Sequence, residues 1–592
     1  MALRPAAALA VVAAVLLAAA PARAADLPGC GPAGALGGEW RSYGHDYANT
    51  RSQPDERVIS PGDVATLKTA WTFSTMAAGG AGDITGTPVI ADGCMYVATT
   101  RGWVFAANAD TGKLVWKAKV PYSGGVNSSV GVAPRTLPVK TRRCGKIKRK
   151  KARRRCVLAR RKAKRKPKPT AGTIYVEVTR TQKGEGCLGG DTCIGPYVAA
   201  FDQQTGQLVW ATKAIDSQKG ADVYGSPVTY DGVLMAGVSG GSAELGDEAD
   251  RYAFQGSMNF IDASTGELIK KTYTIHPPKQ PDDQFAGAAI WSTPAVDPEE
   301  KVAYAGTGNP FKPQAEHAYA NSIVKFDIDR RSSTFAQIVG AYKGLVDEYL
   351  PGFSQMPCYD IPGNPPPYYP QGVGSCGDVD MDFGASPNLF RDASGRKVVG
   401  EGQKSGVYHV IDAKTMKPLW TQIVGPPTSV GGIVGSTAYD GGAIYGPITV
   451  PGYVWSLGAA KGDYRWIGPV ADGAHWGPPV AVANGVVYSV DFSGFLDAFD
   501  ARSGALLVKR PLALGGQNPQ ALSWAGVSIA RTTVYAAVGV LGLADGFVVA
   551  LRPGGPSDVV KDAGHTGAGG NGGGGPSGPA GPSVVAGPGA AS

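Results

Sequence analysis

The chain has 592 residues, with 57 Lys and Arg against 48 Asp and Glu, which gives a formal net charge of +9. This length excludes a small protein with one simple core and predicts either several domains or one large repetitive architecture. The charge is uneven, because residues 140–168 hold 18 of the basic residues and no acidic one. Without this run, 39 basic residues face 48 acidic ones, so the body of the chain is acidic with a net charge of −9.

The N-terminus has the pattern of a secretory signal peptide. A short positive region is followed by an apolar run over residues 6–20, and an A-x-A pattern precedes Ala25. We therefore predict a signal peptide over residues 1–24, a linker over 25–37, and a protein that is periplasmic, displayed at the cell surface or secreted.

Two alternatives to a cleaved signal peptide fit the sequence less well. A retained membrane anchor is disfavoured because the apolar run is too short to span a bilayer comfortably. Lipid attachment at Cys30 is disfavoured because Asp26 separates this residue from the apolar run.

Eight cysteines in an exported chain predict disulfides rather than metal ligands. The sequence does not fix their connectivity, but it suggests the pairs Cys30–Cys94, Cys144–Cys156, Cys187–Cys193 and Cys358–Cys376. No C-x-x-C-H motif occurs, which excludes covalent attachment of a c-type haem.

One motif recurs along the chain: an apolar strand, an Asp or Asn, a short turn that usually contains Gly, and often a Trp. The copies end at Trp116, Trp210, Lys270, Trp420, Trp466 and Val508, and a degenerate copy lies near Asp327. A pair of strands precedes each copy, so that each unit has four short strands. Such units, joined by loops of varied length, predict a β-propeller.

Seven full units lie between residues 82 and 513, and an eighth lacks its last strand. Residues 67–74, "LKTAWTFS", have the pattern of an unpaired outer strand and would complete the eighth blade, hiding both sheet edges. We predict an all-β fold, an eight-bladed propeller of four-stranded antiparallel blades, over residues 38–553.

Two segments do not fit the repeat. The basic run 140–168 falls inside the second unit and is predicted to be a loop insertion. It is either a solvated disordered segment or a contact for an anionic surface, polyphosphate or nucleic acid, and the lack of interleaved aromatic residues disfavours nucleic acid. Residues 554–592 are rich in Gly and Pro and are predicted to be disordered.

Residues 289–310, "AIWSTPAVDPEEKVAYAGTGNP", predict two strands joined by a turn. Trp291 opens this hairpin and Asn309 closes it. A plain hairpin requires neither residue, which raises the question of why an indole and an amide stand at its two ends.

Eight blades with these Asp-to-Gly turns resemble the quinoprotein alcohol dehydrogenases that use pyrroloquinoline quinone (PQQ). The stretches "EGQKSGVYHVIDAKT" and "GGIVGSTAYDGGAIY" are most similar to the polyvinyl-alcohol-dehydrogenase-like branch. The resemblance implies an exported enzyme that oxidises a small or polymeric alcohol by hydride transfer to calcium-bound PQQ. It also implies a separate electron acceptor, a cytochrome or the quinone pool.

The resemblance assigns the metal and cofactor residues by motif. The stretch "SGGSAELG" places Glu244 where the family has a calcium ligand, and Asn309 matches its second calcium ligand. Trp291 matches the residue that stacks under the quinone, and Trp476 resembles a further aromatic of the pocket wall. Hard oxygen ligands such as these carboxylate and amide groups suit calcium.

The resemblance also assigns the catalytic residues. Asp382, in "DVDMDFGASP", matches the general base, and Lys404, in "GQKSG", matches the cation beside the quinone carbonyl. Lanthanide-dependent relatives carry a further acid two positions after the base, where this chain has Gly384, and this difference favours calcium.

The chain departs from the family pattern at two places. By the resemblance, Ser128 and Ser129 stand where many relatives have adjacent cysteines, and a glutamate common in the first blade of the family is replaced near Thr85.

Taken alone, each assigned residue also has a structural explanation: packing for Trp291, a turn for Asn309, a local cap for Asp382, and solvated charges for Lys404 and Glu244. Their order on successive blades favours a cofactor site. The alternative function is that of a non-catalytic propeller, an envelope scaffold or binding module.

Overall fold

A computed structural model describes the chain in fourteen stretches. They are residues 26–135, 170–179, 195–218, 220–240, 254–275, 286–311, 317–345, 381–427, 432–449, 451–469, 478–491, 494–512, 524–539 and 545–556. Within these stretches the strands form eight separate sheets, and the predicted all-β, eight-bladed propeller of four-stranded antiparallel blades is confirmed. The only helical element described is a short 3-10 turn, Val64–Thr66, and no described helix is long and apolar enough to cross a membrane.

Each blade is named by its order in the chain, and its strands are given from the first to the last. Blade 1 contains β3 (Val89–Ala91), β4 (Cys94–Ala98), β5 (Trp103–Asn108) and β6 (Leu114–Lys119); blade 2 contains β7 (Gly131–Arg135), β8 (Thr170–Val178), β9 (Tyr197–Asp202) and β10 (Leu208–Ala211); blade 3 contains β11 (Val228–Tyr230), β12 (Val233–Val238), β13 (Ser257–Asp262) and β14 (Leu268–Tyr273); blade 4 contains β15 (Ala295–Asp297), β16 (Val302–Gly306), β17 (Ser322–Asp327) and β18 (Ile338–Lys343).

The second half of the chain repeats this order. Blade 5 contains β19 (Asn388–Arg391), β20 (Lys397–Gly402), β21 (Val407–Asp412) and β22 (Pro418–Ile423); blade 6 contains β23 (Ala438–Asp440), β24 (Ala443–Ile448), β25 (Tyr453–Gly458) and β26 (Tyr464–Ile467); blade 7 contains β27 (Ala481–Ala483), β28 (Val486–Val490), β29 (Phe495–Asp500) and β30 (Leu506–Pro511), with β1 (Ser52–Gln53) at its edge; blade 8 contains β31 (Val527–Ala530), β32 (Thr533–Val538), β33 (Phe547–Pro553) and β2 (Leu67–Ser74).

Blade 8 closes the ring in the predicted way. The N-terminal strand β2 pairs antiparallel with β33, from Leu67 opposite Pro553 to Ser74 opposite Phe547. The first and last parts of the propeller therefore lie in one sheet. The edges of β2 and β33 that face each other are paired, so neither is open to another chain.

The repeated Trp joins neighbouring blades at their outer strands. Trp116 of β6 donates its indole N–H to the carbonyl of Gln203 at 2.9 Å, and its ring covers Gly206, where an added Cβ would lie 2.6 Å from the indole. Gly206 has a φ of +69°, a conformation that glycine adopts without strain. The same ring-on-glycine contact joins Trp71 to Gly112, Trp210 to Gly266, Trp420 to Gly462 and Trp466 to Gly504. The Asp-to-Gly turn and the Trp of the repeat are thus two halves of one contact between blades.

Hydroxyl groups join the blades near the axis, where the first strands of adjacent blades contact each other. At five junctions between blades, the side chain of a Ser or Thr just before a first strand accepts a backbone N–H of the neighbouring blade. The bonds are Ser129 to Ser226, Ser226 to Thr293, Thr293 to Ser386, Ser386 to Ser436 and Gly526 to Thr87, at 2.8 to 3.1 Å.

The segment before β2 crosses the inner edges of the blades, which the sequence did not predict. Its backbone carbonyls accept one N–H each from the first strands of blades 4, 5, 6 and 7. The accepting residues are Tyr47, Ala48, Thr50 and Arg51. Strand β1 then pairs in parallel with β27. Arg51 is fully buried and donates to the carbonyls of Val480 and Tyr43.

The disulfide between Cys30 and Cys94 is present and links the N-terminal segment to β4 of blade 1. The other three suggested pairs lie outside the described residues, as do the signal peptide, the basic run 140–168 and most of the Gly/Pro-rich tail.

Candidate active site

Four of the six predicted site residues lie at one end of blades 4 and 5. Trp291 precedes β15 and Asn309 follows β16, while Asp382 precedes β19 and Lys404 follows β20. Because the first two strands of a blade are antiparallel, the start of one and the end of the other meet at the same end of the sheet. The fold thus brings both ends of the 289–310 hairpin to the same place.

The Asp382 carboxylate is the point where these residues meet. The Trp291 indole Nε1–H donates to its Oδ2 at 3.0 Å, and the Asn309 backbone N–H donates to its Oδ1 at 2.5 Å. Asp382 and Asn309 are buried and Trp291 is partly buried. The indole N–H of Trp291 and the backbone N–H of Asn309, at the two ends of the hairpin, therefore converge on the same carboxylate of the next blade.

Lys404 brings a cation to the same group. Its Nζ lies 3.7 Å from Asp382 Oδ2 and 5.2 Å from the centre of the Trp291 ring. Its backbone N–H also donates to the Asp382 carbonyl oxygen at 2.9 Å. The carboxylate, the ammonium group and the indole thus form one contiguous cluster across two blades.

Two glycines make this close approach possible. A Cβ on Gly384 would lie 1.9 Å from Trp291 Cη2, so the indole packs directly against the backbone of this residue. A Cβ on Gly308 would lie 2.9 Å from Asp382 Oδ1. A side chain at Gly384 would therefore have to displace the indole.

Sequence reasoning predicted Asn309 through its side-chain carbonyl and did not anticipate its backbone contact with Asp382. The Thr307-Gly308-Asn309-Pro310 turn is visible in the sequence, but the partner of its N–H belongs to another blade. Glu244 and Trp476 lie outside the described residues, so their predicted positions stay predictions. Within the described stretches, no three His, Cys, Asp or Glu side chains come together as a metal site.

Three buried hydroxyls lie at the corresponding end of blades 1 and 2. Thr85, Ser128 and Ser129 precede β3 and β7, and the side-chain oxygen of each has no hydrogen-bond partner among the residues that the structure describes. Buried polar atoms normally have partners, so these hydroxyls suit a polar ligand. They lie at the positions where the resemblance predicts that the chain departs from the family pattern.

Comparison with known proteins agrees with the resemblance seen in the sequence. Residues 40–165 match the PQQ family described as "Glucose/ethanol/alcohol dehydrogenase, beta-propeller domain". Polyvinylalcohol dehydrogenase of Pseudomonas sp is 25% identical over 501 residues, which cover 79% of this chain and 67% of that protein. Polyvinylalcohol dehydrogenase of Sphingopyxis sp. (strain 113P3) is 22% identical over 507 residues, 79% of this chain and 66% of its own length.

Other relatives match a smaller share. Quinohemoprotein alcohol dehydrogenase ADH IIB of Pseudomonas putida is 26% identical over 294 residues, 46% of this chain and 34% of its own length. This chain therefore spans about two thirds of the polyvinylalcohol dehydrogenases and about a third of this quinohemoprotein.

Solved structures share the fold. Quinohemoprotein alcohol dehydrogenase from Comamonas testosteroni superposes with a TM-score of 0.61 at 18% identity, covering 89% of this chain and 82% of that one. A europium-containing methanol dehydrogenase gives 0.60 at 15% identity, covering 87% of this chain and 98% of that one. The predicted resemblance of this chain to the PQQ-dependent quinoprotein alcohol dehydrogenases, nearest their polyvinyl-alcohol branch, is thus confirmed by the family match and by these relatives.

Proposed function

We propose that the protein is an exported quinoprotein that oxidises an alcohol with calcium-bound PQQ and passes the electrons to a separate acceptor. The observation that carries this proposal is the Asp382 carboxylate, which contacts Trp291, Asn309 and Lys404 within one cluster. A buried base beside a cation and a flat aromatic ring is the set of groups that a dehydrogenase with a planar quinone cofactor requires.

The chemistry of the donors fits this cofactor and metal. PQQ is planar and carries carboxylates, and the partly buried indole of Trp291 offers a flat surface beside the Lys404 ammonium. The hydroxyls of Thr85, Ser128 and Ser129 are buried and have no partner in the described part of the chain, so they are available to the polar groups of such a ligand.

The predicted calcium ligands are oxygen donors. We assign to the ion the side-chain carbonyl of Asn309, which is buried beside Asp382, and the carboxylate of Glu244. A carboxylate and an amide oxygen are hard ligands of the kind that calcium prefers. When bound, PQQ supplies the redox chemistry by accepting the hydride of the alcohol, with the metal polarising its carbonyl.

The protein's own residues then have separate tasks. Asp382 accepts the proton of the alcohol hydroxyl, and the ionised carboxylate is the form that accepts the N–H bonds of Trp291 and Asn309. Lys404 stabilises negative charge that develops on an oxygen of the site. Trp291 has two roles: its ring provides the flat surface on which the cofactor lies, and its Nε1–H group holds the Asp382 carboxylate in place.

The compartment and partners follow from the same proposal. The predicted signal peptide and the Cys30–Cys94 disulfide suit an oxidising extracytoplasmic compartment. The first two relatives are named for polyvinyl alcohol, so polymeric alcohols join small alcohols as proposed substrates. Electrons would leave through a cytochrome or the quinone pool.

Reconstitution tests the proposal. The purified chain is incubated with PQQ and Ca²⁺, cofactor binding is followed by absorbance, and dye reduction is measured with primary, secondary and polymeric alcohols. We expect PQQ to bind only with Ca²⁺ and at least one alcohol class to reduce the dye. Absence of PQQ binding together with absence of dye reduction would overturn the proposal and favour the non-catalytic scaffold.

A further inference from the structure

Gln403 precedes Lys404 and joins three parts of the chain through its carboxamide. Its Nε2 donates to the carbonyl of Met381 at 2.6 Å and to that of Leu345 at 2.8 Å. Its Oε1 accepts the backbone N–H of Leu345 at 3.2 Å. Leu345 and Met381 lie on either side of residues 346–380, so one side chain binds both ends of this connection between β18 and β19.

A histidine on the neighbouring strand, together with the Ser405 hydroxyl, which donates to Gln403 Oε1 at 2.9 Å, orients this carboxamide. His409 Nε2 lies 3.0 Å from Gln403 Oε1, and its Nδ1 lies 3.0 Å from the hydroxyl of Tyr342. Because Gln403 Nε2 donates to two carbonyls, Oε1 must be the acceptor, and His409 therefore carries its proton on Nε2. Tyr342 then donates its O–H to Nδ1. This assignment leaves every polar atom of the His409 ring with a partner.

The network is buried and electrically neutral. Gln403 and His409 are both buried, and burial lowers the pKa of His409 to about 3. The groups that face the ring are Tyr342, Gln403 and Phe383, whose ring centre lies 5.1 Å from that of His409, and Glu401 pairs with it across the strands. The neutral ring keeps Nδ1 as the acceptor for the Tyr342 hydroxyl, while its Nε2–H donates to Gln403.

Gln403 differs from the residue at the matching position of blade 1. Thr99 also donates its backbone N–H to the carbonyl four residues later, as Gln403 does to Val407. The Thr99 hydroxyl donates to a single carbonyl, that of Ala81. The longer side chain at position 403 allows a connection to Met381 and Leu345 that a threonine is too short to make.

We propose that Gln403, oriented by His409, is a positioning residue that fixes Asp382 against Lys404. Two parallel links join the segments: Gln403 Nε2 to the Met381 carbonyl, and the Lys404 N–H to the Asp382 carbonyl. Without the first link, Met381 loses its bond to the Gln403 side chain, and the bond from the Lys404 N–H to the Asp382 carbonyl opens more readily because it has lost its parallel partner. The consequence for turnover rests on the proposed function, whereas the fixing of Asp382 does not.

The first test uses the protein without cofactor. Hydrogen–deuterium exchange of peptides covering residues 381–390 and 400–406 is compared among wild type, Gln403→Ala, Gln403→Glu and His409→Phe. We expect the Lys404 amide, which donates to Asp382, to exchange about tenfold faster or more in all three variants. Gln422→Ala is the matched control, because Gln422 lies on β22 of the same blade and donates only to the carbonyl of Ile423.

The second test uses the reconstituted enzyme. We expect kcat to fall about ten- to a hundredfold in Gln403→Ala and His409→Phe, with KM and PQQ binding nearly unchanged, since a misplaced base affects the chemical step. His409→Gln keeps an N–H donor and should recover part of the loss. A merely structural role would instead lower the thermal midpoint without separating kcat from KM.

The outcomes separate the two claims. If wild type neither binds PQQ nor reduces dye, the proposed function fails, and amide exchange alone decides the role of Gln403. If exchange at Lys404 is unchanged in folded variants, the positioning role is wrong. If exchange rises but kcat stays at the wild-type value, Gln403 does not set the geometry that turnover requires and the inference is equally overturned.

Discussion

Lys404 binds Asp382 at both ends of that residue. The Lys404 N–H donates to the Asp382 carbonyl oxygen at 2.9 Å, and the Lys404 ammonium lies 3.7 Å from the Asp382 carboxylate. The backbone bond sets the register between the segment before β19 and the end of β20, and the side chains then face each other as a consequence. A base and a cation that share a backbone contact have a separation fixed by the blade rather than by two flexible side chains.

Asp382→Asn should abolish most of the dye-linked activity while the propeller stays folded. The amide keeps the size of the side chain but cannot accept the alcohol proton, and general-base catalysis typically contributes about 10²- to 10⁴-fold. We expect kcat to fall within this range. Asp392→Asn, in the turn after β19 of the same blade, is the matched control and should keep activity close to that of wild type. Full activity in Asp382→Asn would remove Asp382 from the mechanism.

Gly384→Ala should weaken PQQ binding without unfolding the protein. The added Cβ would lie 1.9 Å from Trp291 Cη2, so the indole must move, and its bond to Asp382 would move with it. We expect PQQ affinity to fall at least tenfold, as measured by absorbance titration. Gly62→Ala is the control, since a Cβ there meets only Ser60 Oγ, at 3.7 Å. Unchanged PQQ affinity would show that the indole is not the surface on which the cofactor lies.

Glu244→Gln should raise the Ca²⁺ concentration that the enzyme requires. Glu244 is the only carboxylate among the predicted protein ligands, and the amide keeps one carbonyl oxygen but loses the negative charge that a doubly charged ion needs. PQQ occupancy should fall together with metal affinity, because the carboxylate of the cofactor also uses the ion. Circular dichroism should not change, since the described contacts between blades are made by other residues, such as Trp116 with Gly206. Turnover at an unaltered Ca²⁺ concentration would reduce Glu244 to a surface acid.

The sequence predicted the blades well because each blade is a local repeat. The turn glycines, the outer Trp residues and the closing strand β2 are visible in the chain, and their partners stand at matching positions of the next copy, as with Trp116 and Gly206. The N-terminal segment was missed because its bonds go to the edges of four distant first strands through its backbone, which leaves no periodic pattern of side chains.

The candidate site was predicted in part for a similar reason. Trp291, Asn309, Asp382 and Lys404 stand in recognisable motifs, so they could be named before their contacts were known. Gln403 lies within the same quoted stretch as Lys404, but its importance depends on Leu345 and Met381, whose proximity arises only from folding. The contact of the Asn309 backbone with Asp382 was equally inaccessible, because no sequence pattern records which backbone N–H reaches a side chain of another blade.

Two buried acids make the stability of the fold depend on pH, and neither has a role in the proposed reaction. Glu177 on β8 and Glu401 on β20 are almost completely buried, and none of their carboxyl oxygens has a hydrogen-bond partner within the described stretches. Burial raises the pKa of both groups well above 4.5, so the folded chain keeps these protons where the unfolded chain releases them. The contribution of these two protonated groups to the free energy of unfolding is fully present below about pH 4.5. It falls as the pH rises, by at most about 1.4 kcal/mol per pH unit for each group.

Glu177→Gln should therefore stabilise the protein at high pH and leave it nearly unchanged at low pH. The amide has nearly the same shape and carries no proton to release, so the penalty disappears. With measurements from pH 4.5 to pH 8, we expect the difference in thermal midpoint between variant and wild type to be close to zero at the lowest pH and larger at higher pH, with the same trend in Glu401→Gln. Glu267→Gln, at an exposed turn, is the control and should give a flat difference over this range. A flat difference for Glu177→Gln as well would mean that the buried carboxyl is already paired or hydrated in solution and that its proton does not distinguish the folded from the unfolded chain.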